Sequence, residues 1–155
     1  MLYLKLLIGV VSILLFTKIG KNKSNKYKKS YLFWSSVNMF IGDFKGDLLY
    51  KKSKLEDFLD RIYSSEEFTT LLNSLVNNEE LEFPDFLDLE DKIDLNNFFL
   101  CLGKTDTTSQ IDVINSFKEK FSMKMIEKYN SYKKYFSLST KIGFIVGLAF
   151  MIMVI

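Results

Sequence analysis

Few side chains in this chain are equipped for bond-making chemistry. Cys101 is the single thiol among 155 residues and histidine is absent, so neither a Cys-His nucleophile pair nor a His/Cys zinc site can be assembled. Gly103 and Lys104 form the dipeptide that closes a phosphate-binding loop, but position 98 holds Phe where such a loop needs its first glycine. The residues before it also read as helix, not strand. Eight acids lie between Glu79 and Asp94 against Lys92 alone. They lack the Asp-x-Asp-x-Asp-Gly pattern of a calcium loop, and read instead as a solvated face or as an acidic docking surface for a basic partner. Cys101, on an apolar helix face with no base or cation nearby in sequence, reads as packing. The expectation is a non-enzyme with no catalytic residue, no metal or cofactor site and no small-molecule substrate.

Function must then lie in what the chain touches, and its apolar residues say where to look. Two apolar stretches, 1–20 and 142–155, sit at opposite ends, with nearly all the charge between them. Twenty helical residues reach about 30 Å, the thickness of a hydrocarbon core, and Lys5 and Lys18 are placed to snorkel toward its two faces. After Phe16 come Thr17, Lys18, Ile19 and Gly20 instead of a small-x-small cleavage site, so the stretch reads as a retained anchor and not a secretory signal. The C-terminal run is short for a span, and residues 136–141 extend it to about 20. The single cysteine precludes an intramolecular disulfide and suits a reducing compartment.

Lysine placement predicts the orientation. Lys21, Lys23, Lys26, Lys28 and Lys29 follow the first stretch, and Lys124, Lys128, Lys133, Lys134 and Lys141 precede the second. Basic residues beside a span favour the cytoplasmic side, so the middle of the chain is expected in the cytoplasm as part of a multi-pass hairpin. The block Lys21 to Lys29 then meets anionic headgroups of the lipid bilayer, worth about 1 kcal/mol per basic residue, and no nucleic-acid partner is expected.

The middle reads as helical throughout. Tyr27, Tyr31, Trp34, Val37, Ile41, Phe44 and Leu48 recur at spacings of three and four, a single stripe widened by Phe33 and Phe40. Trp34 is expected in the core or as an interfacial anchor. Gly42 and Gly46 permit a close helix contact or merely weaken the helix. A short helix is predicted over 54–63. Another follows Ser65 with Glu66 and Glu67 in its first turn, carries Phe68, Leu71, Leu72, Leu75 and Val76, and ends at Asn77. Residues 79–88, around the only proline, Pro84, read as an exposed connection. A helix resumes near Leu89 with Ile93, Leu95, Phe98, Phe99 and Leu102 and stops at Gly103. Thr107 and Gln110 have capping-box spacing, and the helix they open runs through Ile114, Phe121 and Tyr132 without glycine or proline toward the C-terminal stretch. The fold class expected is all-α: an antiparallel helical bundle flanked by N- and C-terminal transmembrane helices, with an anchor at 1–20, a cytoplasmic helical domain at 21–137 and a second span at 138–155.

Taken together, three features give the chain a family resemblance. They are the anchor order Leu4, Lys5, Leu6, Leu7, Ile8, Gly9; the run Leu102, Gly103, Lys104, Thr105, Asp106 followed by Gln110 and Ile111; and Lys133, Lys134, Tyr135 leading into a terminal span with Gly143 and Gly147. With these the chain resembles the stage III sporulation protein AB family, small membrane proteins of endospore-forming bacteria. The resemblance covers nearly the full length. It implies membership of a secretion-like channel complex between mother cell and forespore, with the middle domain in the mother cell and similar to the helical domains of type II secretion and type IV pilus platform proteins. It also implies contact with the cytoplasmic ATPase of the complex and with its other membrane subunits. The chain departs from the family in its lysine- and phenylalanine-rich composition and in the acidic connection around Pro84.

On this reading the turn built from Leu102, Gly103, Lys104, Thr105, Asp106 and Gln110 is a helix stop followed by a helix start, and is also the candidate partner-contact loop. The expected function is that of a non-enzymatic, membrane-anchored assembly or scaffold subunit. The rival is a small pore-forming, holin-like membrane protein, for which two spans and a basic flank would suffice.

Overall fold

A computed structural model of the chain describes residues 2–50, 63–77, 79–102 and 107–154. It is all-helical, with no strand among the described residues, and its elements are α1 (Leu2–Tyr50), α2 (Glu66–Val76), α3 (Leu89–Cys101) and α4 (Thr107–Val154). The helix expected over 54–63 lies outside the described residues except for Tyr63. Two compact units emerge from the packing: Met1–Lys28 with Lys128–Ile155, and Lys29–Glu127. The expected segments 1–20, 21–137 and 138–155 follow hydropathy, and hydropathy and packing divide a chain by different criteria.

In the unit Lys29–Glu127 the aromatic stripe of α1 becomes the centre of the core. Phe33, Trp34, Phe40 and Ile41 are fully buried, with Phe68 from α2, Phe98 from α3 and Phe121 from α4. Phe40 shows why so broad a face needs several neighbours: its ring lies 5.9 Å from Phe68, 6.2 Å from Phe98 and 6.0 Å from Tyr63, all edge-on. Edge-to-face pairs of this kind add about 0.5–1.5 kcal/mol each beyond the area they bury. Gly42 and Gly46 take no part in close packing, since a Cβ at either would meet nothing within 4 Å.

Local chemistry sets the helix ends. Ser65 is the N-cap of α2: its hydroxyl accepts from the Phe68 amide at 3.3 Å and donates to Glu67 Oε2 at 2.9 Å, while its own amide donates to the Ser36 hydroxyl at 3.1 Å. One serine thus starts α2 and ties it to α1. Asp88 caps α3 by accepting from the Asp91 amide at 2.8 Å. Between them the 79–88 connection is only half as exposed as its composition suggests. Glu79, Glu80, Glu82 and Asp85 face solvent, but Leu87 is buried and Leu81, Phe83 and Phe86 pack on the core. The acids conceal an apolar residue at nearly every second position, which is what holds this connection down.

Asn38 joins α1 to α4. Its Nδ2 donates to the Trp34 carbonyl at 2.8 Å and to the Phe121 carbonyl at 2.9 Å, and its Oδ1 accepts from the Ser122 hydroxyl at 2.6 Å. A single amide thereby makes three hydrogen bonds at a helix contact, two of them donated.

In the unit Met1–Lys28 with Lys128–Ile155, α1 and α4 pack backbone against backbone. A Cβ on Gly143 would stand 2.6 Å from the Phe16 carbonyl oxygen, and one on Gly147 would stand 2.6 Å from Ile13 Cα. Positions rise on α4 as they fall on α1, so the two segments are antiparallel. Tyr27 and Tyr135 stack at 4.0 Å with an interplanar angle of 11°, and Phe16 meets Phe150 at 6.0 Å. Thr17 donates its hydroxyl to the Ile13 carbonyl one turn back at 2.8 Å. Among the described residues α4 is the one helix long and apolar enough to cross a membrane, and only 11 % of its apolar stretch is buried within the protein.

Candidate functional site

The turn singled out in the sequence is described only at its edges. Leu102, the C-cap of α3, is buried and donates its amide to the Phe99 carbonyl at 3.2 Å. Gln110 is buried on the first turn of α4, and its Nε2 finds no acceptor among the described residues. Gly103, Lys104, Thr105 and Asp106 lie outside the described residues, so the loop that these two flank is not brought together with any other feature. Helix α4 opens at Thr107, one residue before the start that a Thr107 cap would give.

The acidic stretch divides into two populations. Asp91, only 1 % exposed, has Lys124 Nζ 2.8 Å from its Oδ1, and Lys120 Nζ lies 2.5 Å from Asp94 and 3.5 Å from Glu90. These carboxylates lace α3 to α4, and Asp91 holds the Lys124 ammonium above the usual lysine range, against a smaller opposing push from burial. Asp94 does the same for Lys120. Sequence spacing shows them only as charges on a helix, because their lysines stand about thirty positions away. The acids of 79–85 face solvent, and two of them, Glu82 and Asp85, line an open depression of about 240 Å³ with Glu67, Thr70, Phe83 and Pro84. Glu67 is committed elsewhere. Burial pushes its carboxyl up, but Lys29 at 2.9 Å, a backbone amide and the Ser65 hydroxyl outweigh that and hold it below the usual carboxylate range. Among the described residues no group of His, Cys, Asp and Glu is placed to hold a metal ion, and Cys101 is half-buried.

Helix α3 has an unusual distribution of apolar side chains. Leu95, Phe98 and Phe99 face the core beside Asp91. Leu89 and Ile93, which the sequence names on this helix, are 74 % and 52 % exposed, and Leu100 is 51 % exposed. At 100° per residue the spacings of four and eleven put Leu89, Ile93 and Leu100 within about 40° of one another, on the side opposite the buried face. A helix apolar on one side needs one neighbour; apolar on two opposite sides, it has a second face to cover. Position 91, on the buried side, carries the aspartate that Lys124 holds where a core helix would carry leucine.

The lysine block is distributed between the two units. Lys21, Lys26 and Lys28 are exposed on α1, and Lys29 pairs with Glu67. Of Lys23 the structure describes the backbone alone. Sequence reading named Gly143 and Gly147 but did not assign them the helix contact, although the signal was present: four apart in an apolar helix, they have the small-xxx-small spacing that lets helix backbones approach. No family model matches the chain, and no curated protein or solved structure matches it.

Proposed function

We propose that the protein is a non-enzymatic membrane-anchored assembly subunit: α1 and α4 tether it to a bilayer through a multi-pass helix hairpin, and its packed helical domain faces the cytoplasm and docks a protein partner. The observation that carries this is the outward stripe of Leu89, Ile93 and Leu100 on a helix whose other side is already buried. The exposed acids Glu79, Glu80, Glu82 and Asp85 precede that stripe in the chain and favour a partner with a basic rim, which they would steer more than hold. The lysines outside the packed domain support the sidedness. The aromatic core argues against the holin-like alternative, because perturbing a bilayer requires no such domain. The resemblance described above supplies the narrower reading: a subunit of the mother cell-forespore channel complex whose partner is the cytoplasmic ATPase.

The test is photo-crosslinking in intact sporulating cells from position 93, with Met39, exposed on α1, as the control position. An adduct with the ATPase or another membrane subunit of that complex from position 93, and none from position 39, is the expected result. Equal labelling from both positions, or cell lysis on induction of the protein, refutes the assembly role. Digestion of residues 29–127 by protease added outside protoplasts refutes the sidedness.

A further inference from the structure

The unit Met1–Lys28 with Lys128–Ile155 contains ten lysines and no acid, while all nineteen acids of the chain lie in 29–127. Seven of those lysines, Lys18, Lys21, Lys26 and Lys28 on α1 and Lys133, Lys134 and Lys141 on α4, are exposed. The register of the helix pair gathers them in one band. Gly143 seats on Phe16 and Thr17, and Tyr27 stacks on Tyr135, so positions 17–28 of α1, about 17 Å of helix, run beside positions 133–143 of α4. All seven fall inside those intervals.

The register puts Lys18 level with Lys141, and Lys26 and Lys28 level with Lys133 and Lys134, a spacing across the pair on the order of the roughly 10 Å screening length of physiological salt. Their repulsion therefore acts against the contact that Gly143 and Gly147 make, and no carboxylate of the unit answers it. The surface beyond this level explains what does. Val10, Leu14, Leu15, Ile145 and Ile152 are exposed and apolar, so the collar stands where hydrocarbon would give way to headgroups, with Tyr27 and Tyr135 among the lysines as interfacial aromatics.

We infer that this two-helix collar binds anionic phospholipid headgroups, and that the bound lipid is the counter-charge that holds α1 and α4 together. The inference rests on the membrane placement proposed above. It goes beyond it by making lipid composition a determinant of the helix pair's structure.

The full chain carrying Cys101→Ser, Leu14→Cys and Ile145→Cys, spin-labelled at the two new thiols, tests this in nanodiscs of phosphatidylcholine alone or with one-third phosphatidylglycerol. Pulsed electron resonance is expected to give a narrow interspin distance with phosphatidylglycerol and a broad one without it. Native mass spectrometry is expected to find phosphatidylglycerol retained over phosphatidylcholine by about tenfold. Adding Lys21→Gln, Lys26→Gln, Lys133→Gln and Lys134→Gln is expected to narrow the distance in both lipids and bring the retention ratio near one. Lipid-independent distances with no enrichment overturn this inference alone. Inorganic phosphate that narrows the distance in phosphatidylcholine discs, or an oligonucleotide that displaces phosphatidylglycerol from the collar, overturns the assignment to lipid. A chain that stays in the aqueous fraction overturns the membrane placement and this inference with it.

Discussion

The two units of this protein settle their charges and their apolar surface in opposite ways. In 29–127, Lys29, Lys120 and Lys124 each stand within 4 Å of a carboxylate, and large rings fill the core. In the unit formed by both chain ends, lysines have no acid of that unit to answer them, and the helices meet through two glycines. Water drives the first arrangement, because apolar area removed from it contributes about 25 cal/mol per Å². On the membrane placement proposed above, lipid tails replace water around the second unit; that drive then vanishes, and close backbone contact through small residues takes over. The contrast teaches that one helix can obey two packing rules along its length, since α1 supplies Phe40 to one unit and the seat of Gly147 to the other.

The most damaging way to break the comparison is to remove a ring from the core. Phe40→Ala is expected to destabilise the 29–127 unit by about 3–5 kcal/mol, read as a lowered urea midpoint of Trp34 fluorescence, while the Leu14–Ile145 spin-label distance holds. A simultaneous change in that distance would mean the two rules are not separable. Next comes the buried charge. Lys124→Ala leaves Asp91 uncompensated and is expected to cost about 2–4 kcal/mol, whereas Lys124→Met with Asp91→Leu recovers most of it; a double variant as unstable as the single one refutes the pairing.

On the other side of the comparison, Gly147→Val must push Ile13 away. A cost of about 1–3 kcal/mol is expected, visible as a longer Leu14–Ile145 distance with the urea midpoint of the other unit unmoved. Unchanged spacing would show that backbone contact is not what pairs these helices.

The smallest effect sharpens rather than breaks it. Because the folded state holds the Glu67 carboxyl below its ordinary value, the unfolded chain takes up that proton first as pH falls. The Lys29–Glu67 contribution is therefore present above the ordinary carboxylate range and is lost as pH drops through the depressed folded value. Glu67→Gln is expected to flatten this part of the stability-pH curve measured by urea titration. A curve identical to that of the parent protein removes Glu67 from the account.

What was legible beforehand follows from period. The stripe from Tyr31 to Phe44, the start of α2 after Ser65 and the start of α4 at Thr107 all rest on residues within a few positions of each other, where helix geometry links spacing to facing. Asn38 and Asp91 were not legible in this way. Each looks like a polar residue free to face water, and only a partner more than thirty positions distant makes burial affordable. The exposure of Leu89 and Ile93 was not legible either, because Asp91 and Lys124 choose which side of α3 turns inward.

Local pattern and charge order thus suffice to establish a helical chain with apolar, lysine-flanked ends, because helix formation and the separation of apolar from charged segments are properties of neighbours in sequence. Which face of α3 stays uncovered, which acids are held by lysines, and how Gly143 and Gly147 seat on α1 emerge from folding alone. They depend on contacts between distant residues, whose energies are small differences between desolvation and pairing and are recorded in no short stretch of the chain.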